Sequence, residues 1–197
     1  DEDLWIRPEQ FALCHQVFTE FGMHTAVSGE DLSESFEVPY RKAGSLLYIE
    51  LHKHLFPPES DAYGDMNRFF EGALDRAVGL EIQGRTVYTL GYTDHLFYLI
   101  CHAFKHFLHG GFGIRQVCDM VLYANAYGSE IDWDYVQSKC RGLRADKFAA
   151  ALFAIGDVMF VNPYLMAPGG TYGLSNVFSS LWGGRIALYA ICMDVPL

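Results

Sequence analysis

The chain has no run of basic residues. Its 14 Lys and Arg stand against 24 Asp and Glu, a formal net charge of −10. Holding a long nucleic-acid tract takes clustered Lys and Arg to neutralise phosphates, so that class of partner fits poorly and a small-molecule or protein substrate fits better. There is no C-x-x-C pair either. The five cysteines, Cys14, Cys101, Cys118, Cys140 and Cys192, are scattered and odd in number. That argues against a zinc ribbon and points to a reducing, cytoplasmic compartment. Long apolar runs are missing. The most apolar stretch, Phe148 to Val161, has 14 residues and contains Asp157, too short and too polar to span a bilayer. No signal peptide, repeat or low-complexity tract is visible.

Apolar residues make up 51% of the chain and charged residues only 19%, so a substantial core is expected and disorder is not. A length of 197 residues suits one compact domain, or a small domain with an appendage. The pattern divides near residue 92. Up to there it reads as a small αβ half, and from 93 to 197 as a helical half, an α+β chain.

In the first half, residues 1–6 read as a strand, and Pro8 suits the first turn of a helix. Phe11, Cys14, Val17, Phe18 and Phe21 recur at helical spacing, and Gly22 closes the helix. Pro39 marks residues 36–41 as an edge strand or a bulge. A long strand covers Leu46 to Leu55, and a helix covers Asp65 to Val78. Gln83-Gly84 then turns a hairpin. In the second half, Thr93 is the expected N-cap of a helix over Asp94–His109 that Gly110-Gly111 stops. Ile114–Tyr127 is expected to bury Ile114, Val117, Cys118, Val121 and Leu122. Asp132 caps a short helix to Cys140, and residues 146–160 form an Ala-rich helix. The join at 162–170 reads abruptly and suggests a missing loop. The chain opens on Asp1 inside a strand-like segment, so further residues are expected upstream.

The chemistry concentrates in two strand-like segments. DEDLWI places Asp1 and Asp3 two residues apart, and side chains at i and i+2 of a strand point to one face. LLYIELHKHLF sets Glu50 in an apolar run, with Tyr48, Glu50, His52 and His54 on one face and Leu47, Ile49, Leu51 and Leu55 on the other. Carboxylates so spaced can share one or two divalent cations, the clamp used for in-line displacement at phosphorus. The alternative is that Asp1 and Asp3 are solvated acids and Glu50 lies on an exposed strand face.

A rival lies on the 94–109 helix. His95, His102, His106 and His109 fall within an arc of about 60° at 100° per residue, and His102 and His106 have the i, i+4 spacing that chelates transition metals. No H-E-x-x-H accompanies them. His95 and His109 are 14 residues apart, about 21 Å along the axis, so one ion cannot take all four. A zinc site would need a ligand from elsewhere, with His52 or His54 the best candidates. Otherwise these strand histidines line the cleft beside Glu50 and bind substrate or support the acids. Lys105 and Arg115 suit phosphate oxygens, and each also reads as a solvated surface charge.

DEDLWIRPEQF, LLYIELHKHLFPPES and TDHLFYLICHAFKHFLHGGFGIRQVCDMVLYANAYGSEIDW together resemble the bacterial uncharacterised nucleotidyltransferase family. The resemblance runs from Asp1 to about Phe160, and the later GGTYG resembles that family's C-terminal portion. It implies a polymerase-β-like core with a mixed sheet, in which Asp1 and Asp3 match the D-x-D and Glu50 matches the third acid, together holding two Mg²⁺ ions. It implies an NTP as substrate and an acceptor hydroxyl that the family does not identify. Residue type and position, rather than the resemblance, make Lys105, Arg115 and His52 the candidates to bind that NTP. The superfamily's Gly-Ser phosphate-holding segment would lie upstream of Asp1 and is absent from this chain. The resemblance also leaves open a degenerate relative that binds nucleotide or a partner without turnover.

Overall fold

The computed structural model describes residues 2–111 and 113–156. Contacts group the chain into two compact units, Asp1–Arg68 and Phe69–Leu197. The hairpin that follows Arg68 falls in the second of these groups.

The first unit is built on a four-stranded mixed sheet of β1 (Glu2–Trp5), β2 (Met23–His24), β3 (Glu37–Lys42) and β4 (Tyr48–His52), in the order β1-β4-β3-β2. β1 runs parallel to β4, β4 antiparallel to β3 and β3 antiparallel to β2. Pro39 sits on an inner strand rather than at an edge. It pairs with Glu50 on one side, and β2 reaches only Arg41 and Lys42 on the other, so its missing N–H deprives β2 of no rung. β4 is shorter than the expected strand, and Leu46 before it is fully exposed.

Strand parity divides the sheet into two faces. Met23, Val38, Tyr40 and Leu51 form the apolar face, and Ile6, Phe11, Cys14, Phe18, Val27, Leu32 and Ile49 pack against them. Phe11, Cys14 and Phe18 come from α1 (Phe11–Glu20), which a turn opening at Pro8 leads into. Gly22, at φ 79°, turns the chain out of the helix, a conformation that costs glycine little. Val17 and Phe21 stay exposed, the Phe21 ring under the Lys42 ammonium at 3.9 Å. Lys53 is buried, with its pKa lowered by burial. It donates to the Leu32 and Ser33 carbonyls of α2 (Glu30–Glu34) at 3.0 and 2.6 Å, which compensates its burial and ties α2 to the end of β4.

The helix expected over Asp65–Val78 does not form. Two 3-10 turns, Asn67–Phe70 and Ala73–Arg76, take its place. Asn67 spends its amide on the Phe56 N–H and C=O, and its own N–H goes to Asp65 Oδ1. Gly72 then adopts φ 71° and breaks the helical path. The tie from Asn67 back to Phe56, 11 residues upstream, the local bond to Asp65 and one left-handed residue override the apolar spacing here.

In the second unit β5 (Val78–Ile82) and β6 (Arg85–Thr89) form the expected hairpin, with Gln83 and Gly84 both at positive φ, the two-residue turn that suits strand twist. Four helices follow: α3 (Tyr92–His109), α4 (Ile114–Tyr127), α5 (Trp133–Leu143) and α6 (Asp146–Gly156). Their shared core includes Phe97, Ile100, Met120, Val121, Val136, Leu152 and Phe153. Thr93 does not cap α3. Gly91 holds that position, and the Thr93 hydroxyl instead accepts from the Asp132 N–H at 2.9 Å. Asp132 itself caps α5, accepting from the Tyr135 N–H. On α4, Met120 and Ala124 are buried where Ile114 and Leu122 were expected, and those two are exposed. The four described cysteines are free. Burial pushes the Cys140 thiol up to about 12 and the Cys101 thiol well above its ordinary value. Cys192, the 162–170 join and the GGTYG segment lie outside the described residues.

His95 on α3 stacks on Tyr123 at 4.6 Å between ring centroids, and burial lowers its pKa below the usual 6.5. With a folded value below the unfolded one, stability is intact above pH about 6.5 and is withdrawn as pH falls through the folded value, because the unfolded chain binds the proton more readily. Thermal melts at decreasing pH should therefore show a smaller acid-side loss of Tm in His95→Gln than in wild type. Equal slopes would show that this ring is not the group responsible.

Candidate functional site

The second face of the sheet is polar. In-register pairs share a face, so Asp3 stands beside Glu50, Trp5 beside His52, and Glu37 and Arg41 across from His52 and Tyr48. The alternation that buries Leu51 among apolar neighbours thus turns Glu50 and His52 to the opposite side. Asp3, Glu50 and His52 each offer a ligand atom within 4.8 Å of the others. Among the described residues this is the group of three or more acids, histidines or cysteines close enough to hold one cation.

His52 is the centre of the arrangement. Its side chain is 7% exposed, against 43% for Asp3 and 24% for Glu50. Nε2 lies 3.6 Å from Asp3 Oδ1 and 3.7 Å from Glu50 Oε2, and Nδ1 lies 3.6 Å from Glu37 Oε2. Burial works against a charge on the ring, but the Asp3 carboxylate, Glu37 and the His54 carbonyl outweigh it and raise the pKa above 6.5. Tyr48 extends the row. Its phenol is raised by burial and by a hydrogen bond to Glu50, with Arg41 pulling the other way. The Arg41 guanidinium lies over the Tyr48 ring at 4.8 Å.

The structure thus brings Asp3, Glu50 and His52 together. Asp1 lies outside the described residues. Lys105 and Arg115 belong to the second unit. Lys105 is half-buried on α3, and its carbonyl accepts from His109 Nδ1 at 2.8 Å. Arg115 is 92% exposed and pairs with Asp119 at 3.8 Å, one turn along α4. Glu37 was missed from the sequence. Its parity matches Pro39 and Arg41, but only the pairing of β3 with β4 places it across from His52.

The histidine stripe has several employments. His95 stacks on Tyr123, His102 stacks on Tyr98, and His102 and His106 face each other with their Nε2 atoms 3.2 Å apart. That spacing suits a shared hydrogen bond between the rings. Among the described residues no third ligand joins the pair.

The two carboxylates and one imidazole on the sheet fit a divalent cation. Carboxylate oxygens suit Mg²⁺, which keeps several waters and is completed by phosphate oxygens. Asp3 and Glu50 would hold it, and at such a site it lowers the pKa of a bound hydroxyl and neutralises phosphate charge. No helix of the described residues is long and apolar enough to cross a membrane. Residues 1–160 match the family described as uncharacterised nucleotidyltransferase. No curated protein and no solved structure matches the chain.

Proposed function

Because the chain belongs to the uncharacterised nucleotidyltransferase family, we infer that it moves a nucleoside monophosphate from an NTP to a hydroxyl of a small-molecule or protein acceptor, at a site built on Asp3 and Glu50 and dependent on two Mg²⁺ ions. The observation that carries this reading is the convergence of these two carboxylates, from parallel neighbouring strands, on the polar face of one sheet. In the reaction the acceptor oxygen forms a bond to the α-phosphorus, the bond from that phosphorus to the bridging oxygen breaks, and pyrophosphate leaves with that oxygen.

Each residue has a stated task. Asp3 would hold a cation, which would neutralise charge on the α-phosphate. Glu50, the less exposed of the two acids, binds beside the acceptor and takes its proton. Both strands are backed by the apolar face, so the two carboxylates are held at fixed separation, which supplies part of the rate by positioning. Asp1 is assigned with Asp3 as the other half of the D-x-D.

The test is incubation of the protein with Mg²⁺ and each labelled NTP, read by pyrophosphate release and by label transferred to a cell lysate. Transfer that stops on adding a chelator is the expected result. Tight NTP binding with no pyrophosphate released would replace the enzyme with a nucleotide-binding relative that does not turn over.

A further inference from the structure

One imidazole nitrogen on the polar face of the sheet is buried beside two carboxylates yet out of hydrogen-bond range of both. His52 Nε2 is buried and makes no hydrogen bond. The other ring nitrogen decides what Nε2 can be. Nδ1 lies 3.3 Å from the His54 carbonyl oxygen, and a carbonyl can only accept. Nδ1 therefore carries a hydrogen in either charge state, which leaves Nε2 as the ring atom that can meet a cation. Nε2 faces Asp3 Oδ1 at 3.6 Å and Glu50 Oε2 at 3.7 Å, two acceptors with no hydrogen to give. The two carboxylates bring negative charge to this point, which either a proton on Nε2 or a metal ion taking that proton's place would balance.

The spacing is close to what a single ion requires. Ligand atoms about 2.0–2.2 Å from one metal stand about 3.0 Å apart when adjacent in an octahedron and about 3.4 Å apart in a tetrahedron. The two observed separations need to shorten by about 0.2–0.3 Å for a tetrahedron and about 0.6–0.7 Å for an octahedron, and with all three ligand atoms within 4.8 Å of one another side-chain rotation can close the set on one ion. We propose that His52 Nε2 is a direct metal ligand, which with Asp3 and Glu50 forms a mixed nitrogen–oxygen centre selective for first-row transition cations such as Mn²⁺ over Mg²⁺. Carboxylate and water oxygens suit Mg²⁺, whereas imidazole strengthens binding of the transition series. Glu37 Oε2, 3.6 Å from Nδ1, and the His54 carbonyl hold the far side of the ring. Such support orients a metal-bound histidine and makes its nitrogen more basic. The inference rests on the reading of the Asp3–Glu50 site given above, and replaces one oxygen-only cation there with one bound partly through nitrogen.

Mn²⁺ added to the whole chain without nucleotide provides the test, with electron spin echo envelope modulation reporting nitrogen bound to the ion. Wild type should show imidazole modulation, which disappears in His52→Gln and persists in His102→Gln. Competition should show Mn²⁺ bound at least about 10-fold more tightly than Mg²⁺. Glu37→Gln, which leaves all three ligands in place, should keep the modulation and weaken Mn²⁺ binding by about 10–100-fold; this variant and the wild-type spectrum carry the test if His52→Gln does not fold. Bound Mn²⁺ without nitrogen modulation overturns the proposal and leaves transfer through the carboxylates standing. Failure to bind Mn²⁺, modulation that survives His52→Gln, or modulation lost in His102→Gln also overturns it. Modulation in a protein that releases no pyrophosphate from any NTP would instead sink the transfer reading and leave the ligand assignment intact.

Discussion

Asp3→Asn and Glu50→Gln are each expected to lower nucleotidyl transfer by more than about 100-fold, the upper range for residues that merely support metal ligands. Both substitutions keep the shape of the side chain and remove the charge a hard cation needs. The two residues pair directly across β1 and β4, so neither variant should disturb the strand ladder or the apolar face behind it. Circular dichroism should match wild type while pyrophosphate release falls to background. Raising Mg²⁺ should recover part of the activity if the loss lies in cation binding. Undiminished turnover in either variant would remove that residue from the chemistry.

Leu51→Ala is expected to destabilise the protein by about 2–5 kcal/mol, the range for truncating a buried leucine. Leu51 is 1% exposed and packs with Met23, Val38 and Tyr40. The cavity would open directly beneath Glu50 and His52, its neighbours in sequence. The urea midpoint should fall strongly, and transfer activity should fall at temperatures where the variant is still folded, because the carboxylate separation is set by this packing. Leu46→Ala makes the control. Leu46 is fully exposed, so its truncation should change stability by no more than about 0.5 kcal/mol. Similar midpoints for the two variants would show that the apolar face does not hold the sheet.

Much of this arrangement is legible in the chain. The alternation of Tyr48, Glu50 and His52 against Ile49 and Leu51 is a local property of an extended backbone, so it names both faces of β4 before any partner is known. The same holds for the α1 stripe of Phe11, Cys14 and Phe18, for the Gln83-Gly84 turn and for the Asp132 cap, each a matter of residues within a few positions of one another. Lys105 and Arg115 as phosphate contacts still rest on residue type and position in the sequence.

Other features were decided at a distance. Apolar spacing over 65–78 reads as a helix, but Asn67 is claimed by the backbone of Phe56, and Gly72 takes a left-handed conformation. Thr93 has the chemistry of an N-cap, yet its hydroxyl serves the N–H of Asp132, 39 residues on. Period and propensity identify what a segment can form, and long-range hydrogen bonds select among those options. The sequence by itself determined that acids and histidines would share one strand face. Only the tertiary structure set Asp3 beside Glu50, brought Glu37 across from His52 and left His52 Nε2 buried among carboxylates. Those relations depend on strand order and register, which follow from burying the other face of the sheet and are not encoded by the spacing of the site residues.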